Sequence, residues 1–109
     1  MPRYMIQASY TAEAIAAFVS KPQDRTPGIR ALVEKLGGQL DSFEYTLGAY
    51  DVMATYSAPD DITAAALALA VTSAGHLKRF ETTKLLSPQE FMQAMQKAGG
   101  ASYQAPSRG

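Results

Sequence analysis

The sequence has no cysteine and no tryptophan, a single histidine, and no excess of charge of either sign. Without cysteine there can be no disulfide, no thiolate nucleophile and no thiolate metal site. A single histidine without a carboxylate cluster at ligand spacing cannot build a histidine-based metal centre, and no phosphate-binding glycine loop is present. We therefore expect neither a metal nor a cofactor.

Charge and hydrophobic patterning exclude two further classes of partner. Ten basic residues balance ten acidic ones, and no basic stripe is present, which argues against a nucleic-acid partner. No segment approaches the roughly 20 apolar residues that span a bilayer, so no membrane partner is expected. The first residues lead directly into a strand pattern without a secretory apolar region. The cytoplasm is therefore the expected location.

What is present suits one folded domain. The chain has 109 residues, of which 47% are hydrophobic and 18% are charged, as is typical of a globular domain. Residues 1–98 contain all the periodic patterns and are predicted to form this single domain. Residues 99–109 begin with a glycine pair, lack periodicity and are predicted to be a flexible tail.

Strands and helices follow from hydrophobic periods of two and of 3.6 residues, and proline and glycine interrupt the helices. The predicted segments are strand Tyr4–Tyr10, helix Ala12–Val19, a second helical piece from Pro27 to Leu36, strand Gln39–Thr46, strand Tyr50–Ser57, helix Asp61–Ser73, strand Leu77–Leu86 and helix Pro88–Ala98. Ser87 and Glu90 form a capping box at the start of the last helix.

This order, β-α-β-β-α-β plus a terminal helix, predicts an α+β domain of the ferredoxin-like plan with a four-stranded antiparallel sheet. Right-handed crossovers place the helices on one face and the first and third strands in the centre. In the second strand, alternation puts Leu40 and Ser42 on one face and Phe43 and Tyr45 on the other.

Both central strands carry apolar side chains on both of their faces, and the alanine-rich helix has almost no polar side. An uncovered sheet face with apolar groups is an interface candidate, and a helix that is apolar all round is buried on more than one side. We therefore expect the chain to associate with itself, as a homodimer or a larger homo-oligomer, through this sheet face.

The connection between the second and third strands is centred on Gly48-Ala49-Tyr50-Asp51. Glycine permits a turn with positive φ there. Two interpretations of Tyr50 and Asp51 stay open. In the structural one, the tyrosine packs and the aspartate accepts a hydrogen bond from a nearby backbone donor or an arginine. In the functional one, both belong to a polar pocket at the sheet edge.

Two further polar residues are candidates for a site. His76 follows the predicted helix end at Gly75, where a cationic side chain is favoured; as a functional residue it is a general base that shares a pocket with Tyr50. Arg79 lies on the same face of the fourth strand as Glu81. It either takes part in charge pairing on a partly exposed strand or binds an anionic substrate.

Several segments together resemble one known family. Leu36-Gly37-Gly38, Leu47-Gly48-Ala49-Tyr50-Asp51-Val52, Ala58-Pro59-Asp60-Asp61, the alanine-rich helix and Thr82-Thr83-Lys84-Leu85-Leu86 are similar to the bacterial GYD-domain family. The resemblance covers Tyr4 to Met95. It implies a ferredoxin-like fold of the dimeric α/β-barrel type. That family has no agreed catalytic residues, so the resemblance implies none here.

The sequence leaves two functions open. The first is a small oligomerising domain, without assignable catalysis, that binds a small-molecule ligand or a protein partner. The second is a cofactor-independent enzyme, monooxygenase- or isomerase-like, that acts on a small apolar organic molecule. Its polar residues would be Tyr50, Asp51, His76 and Arg79. An apolar cavity with a few converging polar groups would favour ligand binding or catalysis over a purely structural role.

Overall fold

A computed structural model describes residues 1–107 of the chain. In chain order its elements are β1 (Arg3–Tyr10), α1 (Ala12–Ser20), α2 (Thr26–Lys35), β2 (Gln39–Tyr45), β3 (Val52–Ser57), α3 (Asp61–Thr72), β4 (Leu77–Leu85) and α4 (Pro88–Gly99). Side-chain caps fix three helix starts, because the oxygens of Thr11, Asp60 and Ser87 accept hydrogen bonds from the backbone amides of Ala14, Thr63 and Glu90. The predicted elements are confirmed in order and type.

The sheet has four strands in the order β2-β3-β1-β4, and every neighbouring pair is antiparallel. β1 and β3 are therefore central, as the crossover rule predicts. With α1 to α3 packed on one face, this is a ferredoxin-like α+β fold, which confirms the predicted class.

The core lies between the sheet and the helices. It is built from the alternate residues of the two central strands that face the helices, together with residues of α2, β2 and α3. Its buried apolar members are Tyr4, Ile6, Ala8, Tyr10, Val33, Leu40, Val52, Ala54, Tyr56, Ala58, Ala64 and Leu67.

A β-bulge changes the predicted faces of β2. Leu40 pairs with Tyr56, but the next partner pair is Ser42 with Thr55, so Asp41 has no partner residue. The bulge places Phe43 on the helix side with Leu40, although strict alternation predicts opposite sides. The predicted faces of this strand are therefore wrong beyond Asp41.

The sheet face away from the helices is mainly polar. The register places on this face Ser42, Glu44, Met53, Thr55, Met5, Gln7, Ser9, Arg79, Glu81 and Thr83. Met5, Met53 and Leu85 are half-buried apolar members of this surface, which otherwise carries mainly hydroxyl, amide and charged groups. The uncovered face is less apolar than expected, because the register turns Ile6 and Val52 towards the helices.

Two helices expose apolar side chains instead. α3 buries Ala64 and Leu67 against the sheet, but Ile62 and Leu69 are 81% and 69% exposed. The protomer alone thus covers one side of this helix, not several. α4 has no buried residue, and its apolar stripe of Phe91, Met92 and Met95 is exposed.

The domain boundary and the tail remain predictions. α4 ends at Gly99, one residue beyond the predicted boundary. Residues 101–107 are exposed and form neither helix nor strand. The last two residues of the predicted tail, 108 and 109, lie outside the described part of the chain.

Candidate functional site

The four residues predicted as a possible site do not come together. Tyr50 and Arg79 lie on the uncovered side of the sheet, where the guanidinium of Arg79 is 4.8 Å from the centre of the Tyr50 ring. His76 lies on the helix side, where its ring stacks on Tyr10. Asp51 lies beside the C-terminal end of β1, where it is hydrogen-bonded to Ala8 and Tyr10. The prediction that His76 shares a pocket with Tyr50 is therefore wrong, since the sheet separates them.

The Tyr50 and Arg79 side chains form a self-contained cluster with Glu81. The Tyr50 hydroxyl donates to Oε2 of Glu81 at 2.6 Å, and Nη2 of Arg79 lies 3.2 Å from Oε1 of the same carboxylate. The hydrogen bond from Tyr50 lowers the pKa of Glu81 and raises the pKa of Tyr50. Neither group is thereby suited to proton transfer near neutral pH. The cluster is a solvent-exposed structural pairing.

Asp51 has a structural role. Its Oδ2 accepts a hydrogen bond from the backbone amide of Tyr10 at 2.9 Å, and its own amide donates to the carbonyl of Ala8 at 2.9 Å. Asp51 thus extends the pairing of β1 beyond β3, which begins at Val52 rather than at Tyr50. The predicted positive φ at Gly48 is not found; positive φ occurs at Gly37 and Gly75 among residues 1–107.

The candidate site is instead a cavity between the sheet and helices α2 and α3. Its volume is about 200 Å³. Its lining is mostly apolar and comes from all four strands and both helices: Ile6, Ala8, Tyr10, Arg25, Gly28, Ile29, Leu32, Phe43, Val52, Ala54, Ala70, Val71, Ala74, His76, Leu77 and Phe80. Such a concave apolar space with a few polar groups is typical of a small-molecule site.

Tyr10, Arg25 and His76 are the side chains of this lining that carry polar groups. Tyr10 ends β1, His76 precedes β4, and Arg25 immediately precedes α2. The backbone amide of Thr11 donates to the carbonyl of His76 at 3.0 Å, which joins the end of β1 to the start of β4. The three polar residues therefore meet at one end of the sheet.

Tyr10 is 6% exposed and is held by two rings. Phe18 packs edge-on against it with a centroid separation of 4.9 Å, and His76 stacks at 5.9 Å. Burial raises the pKa of the Tyr10 hydroxyl to about 12. This hydroxyl is consequently a neutral hydrogen-bond donor and not a base at physiological pH.

His76 is half-buried beside the cavity. Burial, with the nearby positive charge of Arg25, lowers the pKa of its imidazole below the usual 6.5. The ring is therefore neutral at pH 7 and can accept a proton or a hydrogen bond. The sequence suggested a cationic histidine at the end of the helix, but burial and the nearby Arg25 favour the neutral ring.

The backbone at Arg25 is tied to the sheet through Tyr45. The Tyr45 hydroxyl accepts a hydrogen bond from the backbone amide of Arg25 at 2.8 Å, and it donates to Oδ1 of Asp24 at 3.3 Å. Oδ1 of Asp24 also accepts from the Thr26 amide at 3.0 Å. These bonds hold the segment between α1 and α2 over the end of β2.

Sequence reasoning missed Tyr10 and Arg25 as members of one site. Tyr10 falls at the end of the first predicted strand, and Arg25 falls in the segment between the first two predicted helical pieces, which the sequence predicts as an exposed joint. A signal was present, because a tyrosine ends a central strand while a cation begins the helix that covers that strand. The direction in which the joint folds depends on the tertiary bond to Tyr45, which no local pattern encodes.

The described residues contain neither a cluster of metal-ligating side chains nor a helix that could span a membrane. Within residues 1–107, no three histidine, aspartate or glutamate side chains are grouped so that they could hold a metal ion. None of the helices in this range is long and apolar enough to cross a bilayer.

Comparison with known proteins places the chain in a family. No curated protein matches it significantly. Among solved structures, the crystal structure of an uncharacterized NIPSNAP domain protein from Burkholderia xenovorans is similar to it. The two share 18% identity with a TM-score of 0.48, over 80% of this chain and 94% of that one. The GYD domain model matches residues 4–95, which include all of the sheet except Arg3 and all of α1 to α3. With this match confirming the resemblance seen in its motifs, the chain belongs to the GYD-domain family.

Proposed function

We propose that this protein is a small self-associating domain that binds one compact, largely apolar organic molecule in the cavity between its sheet and α2 and α3. The observation that supports binding is the apolar cavity at whose end Tyr10, Arg25 and His76 meet. A filled interior would instead have favoured a purely structural role.

The size of the cavity limits the ligand. An apolar cavity of about 150 Å³ in another protein accommodates benzene, so a cavity of about 200 Å³ fits a single ring with a short substituent. Ligands of this size have low absolute affinity, because the stabilisation per atom is limited to about 1.5 kcal/mol at best. We expect binding of single-ring probes in the micromolar to millimolar range.

Toluene is a suitable probe of the apolar part, and α3 offers a matched pair of variants. Ala70 and Ala66 are exposed alanines one turn apart, and Ala70 lines the cavity whereas Ala66 does not. We expect toluene to shift the NMR signals of lining residues in the wild type and in Ala66→Phe, but not in Ala70→Phe. Absence of toluene binding to the wild type, or equal binding to Ala70→Phe, would contradict the proposed cavity.

The neutral imidazole of His76 favours a second candidate function, a cofactor-independent enzyme. A neutral histidine at the edge of an apolar pocket can accept a proton from a carbon acid, as in isomerase chemistry. Exchange of the acidic C–H protons of a small ring ketone for deuterium, followed by NMR, measures this activity. Exchange that is not accelerated, or is accelerated equally by His76→Gln, would remove the enzymatic function and leave ligand binding.

Self-association is supported by exposed apolar side chains, which include Ile62 and Leu69 on α3 and the apolar stripe of α4. The predicted association through the uncovered sheet face is supported by the half-buried apolar side chains of Met5, Met53 and Leu85. On α4, Met92 belongs to the apolar stripe and Gln93 lies on the opposite side. Association through α4 and association through the sheet face therefore predict different effects of single charged substitutions.

Native mass measurement and sedimentation at micromolar concentration test both routes. We expect the wild type and Gln93→Glu to be oligomeric and Met92→Glu to be shifted to the monomer. If Met53→Glu alone dissociates the oligomer, the sheet face is the interface. A monomeric wild type would contradict self-association.

We also propose a cytoplasmic location without a nucleic-acid or membrane partner. The support is the balanced composition of ten basic and ten acidic residues, which provides no attraction to polyanions. Fractionation of the native host, with detection in the cytoplasmic fraction, tests the location.

A further inference from the structure

Arg25 places an uncompensated positive charge at the cavity. Within residues 1–107 its guanidinium makes one hydrogen bond, from Nη1 to Oε1 of Gln23 at 3.2 Å, and no ion pair. The neighbouring carboxylate of Asp24 is engaged by Thr26 and Tyr45. Most of the donors of this guanidinium are therefore free for a ligand, since the group has five N–H bonds.

The surroundings of Arg25 leave room for the guanidinium beside the cavity. It lies over Gly28 in the first turn of α2, where a Cβ atom would come within 3.3 Å of Nη2. No aspartate or glutamate belongs to the lining of the cavity in the described part of the chain. The positive charge thus faces a mainly apolar space without a negative counterpart.

Two neutral groups stand beside this charge. Tyr10 contributes a hydroxyl that stays protonated, because burial raises its pKa to about 12. His76, stacked on Tyr10 at 5.9 Å, contributes a neutral imidazole whose N–H can donate. One cation and two hydrogen-bond donors at the end of an apolar cavity form a binding arrangement for an anion attached to a ring.

On this basis, and resting on the proposed function, we infer that the ligand is a small cyclic or aromatic monocarboxylate whose ring fills the cavity and whose carboxylate is bound by Arg25. A carboxylate is planar and accepts two parallel N–H bonds from the guanidinium fork. A phosphate monoester would bring up to two negative charges to a single cation, so the carboxylate is the better match.

Three probes of the same shape but different polarity test the inference: benzoate, benzamide and toluene. Benzoate carries the charge, benzamide keeps the size and loses the charge, and toluene reports on the apolar cavity alone. We expect benzoate to bind at least about tenfold more tightly than benzamide, as a charge-assisted hydrogen bond allows. NMR titration at neutral pH measures all three dissociation constants.

Variants of Arg25 and Arg30 test which arginine causes the preference for benzoate over benzamide. Arg25→Gln is expected to lower the affinity for benzoate to that for benzamide while toluene binding is unchanged. Arg30→Gln removes an exposed arginine of the same helix that does not line the cavity, and it is expected to leave all three affinities unchanged. Arg25→Lys retains the charge without the fork and is expected to recover part of the preference, with circular dichroism confirming that each variant is folded.

The outcomes separate the inference from the proposed function. Binding of toluene with equal affinities for benzoate and benzamide would overturn the carboxylate inference and leave the apolar cavity in place. A benzoate preference that survives Arg25→Gln but is lost in Arg30→Gln would also overturn it. Absence of binding of all three probes would overturn both.

Discussion

Tyr56 has a buried hydroxyl that finds no hydrogen-bond partner in the part of the chain that the structure describes. The side chain is 1% exposed, and its oxygen has no hydrogen-bond partner in residues 1–107. Its neighbour Tyr4 stacks on it at a centroid distance of 5.3 Å, but the Tyr4 hydroxyl donates to Oδ1 of Asp61 at 2.6 Å. An unsatisfied buried hydroxyl costs free energy, whereas a satisfied one does not.

The same substitution at these two tyrosines is therefore expected to have different effects. Tyr56→Phe should leave the free energy of unfolding unchanged or raise it by up to about 1 kcal/mol, because it removes the unsatisfied group. Tyr4→Phe should lower the free energy of unfolding, because it removes a hydrogen bond. Urea denaturation measures both, and a clear loss of stability in Tyr56→Phe would indicate a bound water on its hydroxyl.

Gly38 is required by a close approach of two backbones. A Cβ atom at this position would lie 2.2 Å from the carbonyl oxygen of Ser57, which is rigid backbone. Gly38→Ala is expected to destabilise the protein by about 1–3 kcal/mol, as overpacking does. Gly48→Ala is the control: no atom lies within 4 Å of its Cβ position and its φ is not positive. Equal effects in thermal denaturation would contradict this explanation.

At the residue scale, sequence reasoning predicted the structural positions better than the site. The period of two residues in the first strand predicts that its alternate residues share a face, and Tyr4, Ile6, Ala8 and Tyr10 are indeed buried together. The structural interpretation of Asp51 is confirmed by its bond to the Tyr10 amide. The separation of Tyr50 from His76 by the sheet was not predictable, because a single-residue difference in register decides which side of a sheet each residue occupies.

At the element scale, α4 is a helix that buries none of its residues within the described part of the chain. It has 12 residues, a capping box and no buried residue. Isolated helices of this length are marginally stable in water, even with a good cap. The proposed self-association would supply contacts that stabilise this helix.

Hydrogen exchange of α4 is expected to depend on protein concentration. The amides of α4 should exchange rapidly in dilute solution and become protected as the concentration increases, because self-association buries its apolar stripe. The amides of the central strand β1 provide the internal control, since they are protected at all concentrations. Fast exchange in α4 at every concentration would contradict a role of α4 in association.

Element order and type were predictable because their signals are local. Ser87, Pro88 and Glu90 specify the start of α4, and Pro22 separates α1 from α2. The bulge at Asp41 was not predictable, because it reflects how β2 pairs with β3 and leaves no distinct pattern in the segment itself.

At the scale of the whole molecule, the protomer is elongated. Its Cα atoms span 57 × 39 × 23 Å, and the radius of gyration is 17.9 Å. A compact domain of about 100 residues has a radius of gyration of about 13 Å. The difference agrees with an α4 that has no buried residue and with an exposed C-terminal segment.

Global stability is expected to fall as the pH decreases through 6.5. The pKa of His76 is lowered in the folded state, mainly by burial, so the unfolded chain binds this proton first and is favoured as the pH falls. Stability from this group is fully present above pH 6.5 and is lost below it. Urea denaturation between pH 5 and pH 8 measures the slope.

His76→Gln identifies the origin of this dependence. The variant should show a flat stability profile between pH 5 and pH 7. The carboxylates whose pKa is lowered by hydrogen bonds, such as Asp60 and Glu90, lose stabilising charge only below their ordinary values of 3.8 and 4.5. An unchanged slope in His76→Gln would show that another group titrates in this range.

The two faces of the sheet give the central strand β1 a double role. Consecutive residues along it serve opposite surfaces: Ala8 and Tyr10 border the cavity, whereas Gln7 and Ser9 lie on the polar face. Substitutions at positions 6, 8 and 10 therefore change the lining of the cavity, and those at positions 5, 7 and 9 change the polar face, with little interference between them. Single substitutions along one strand can thus alter the proposed ligand site and the opposite surface independently.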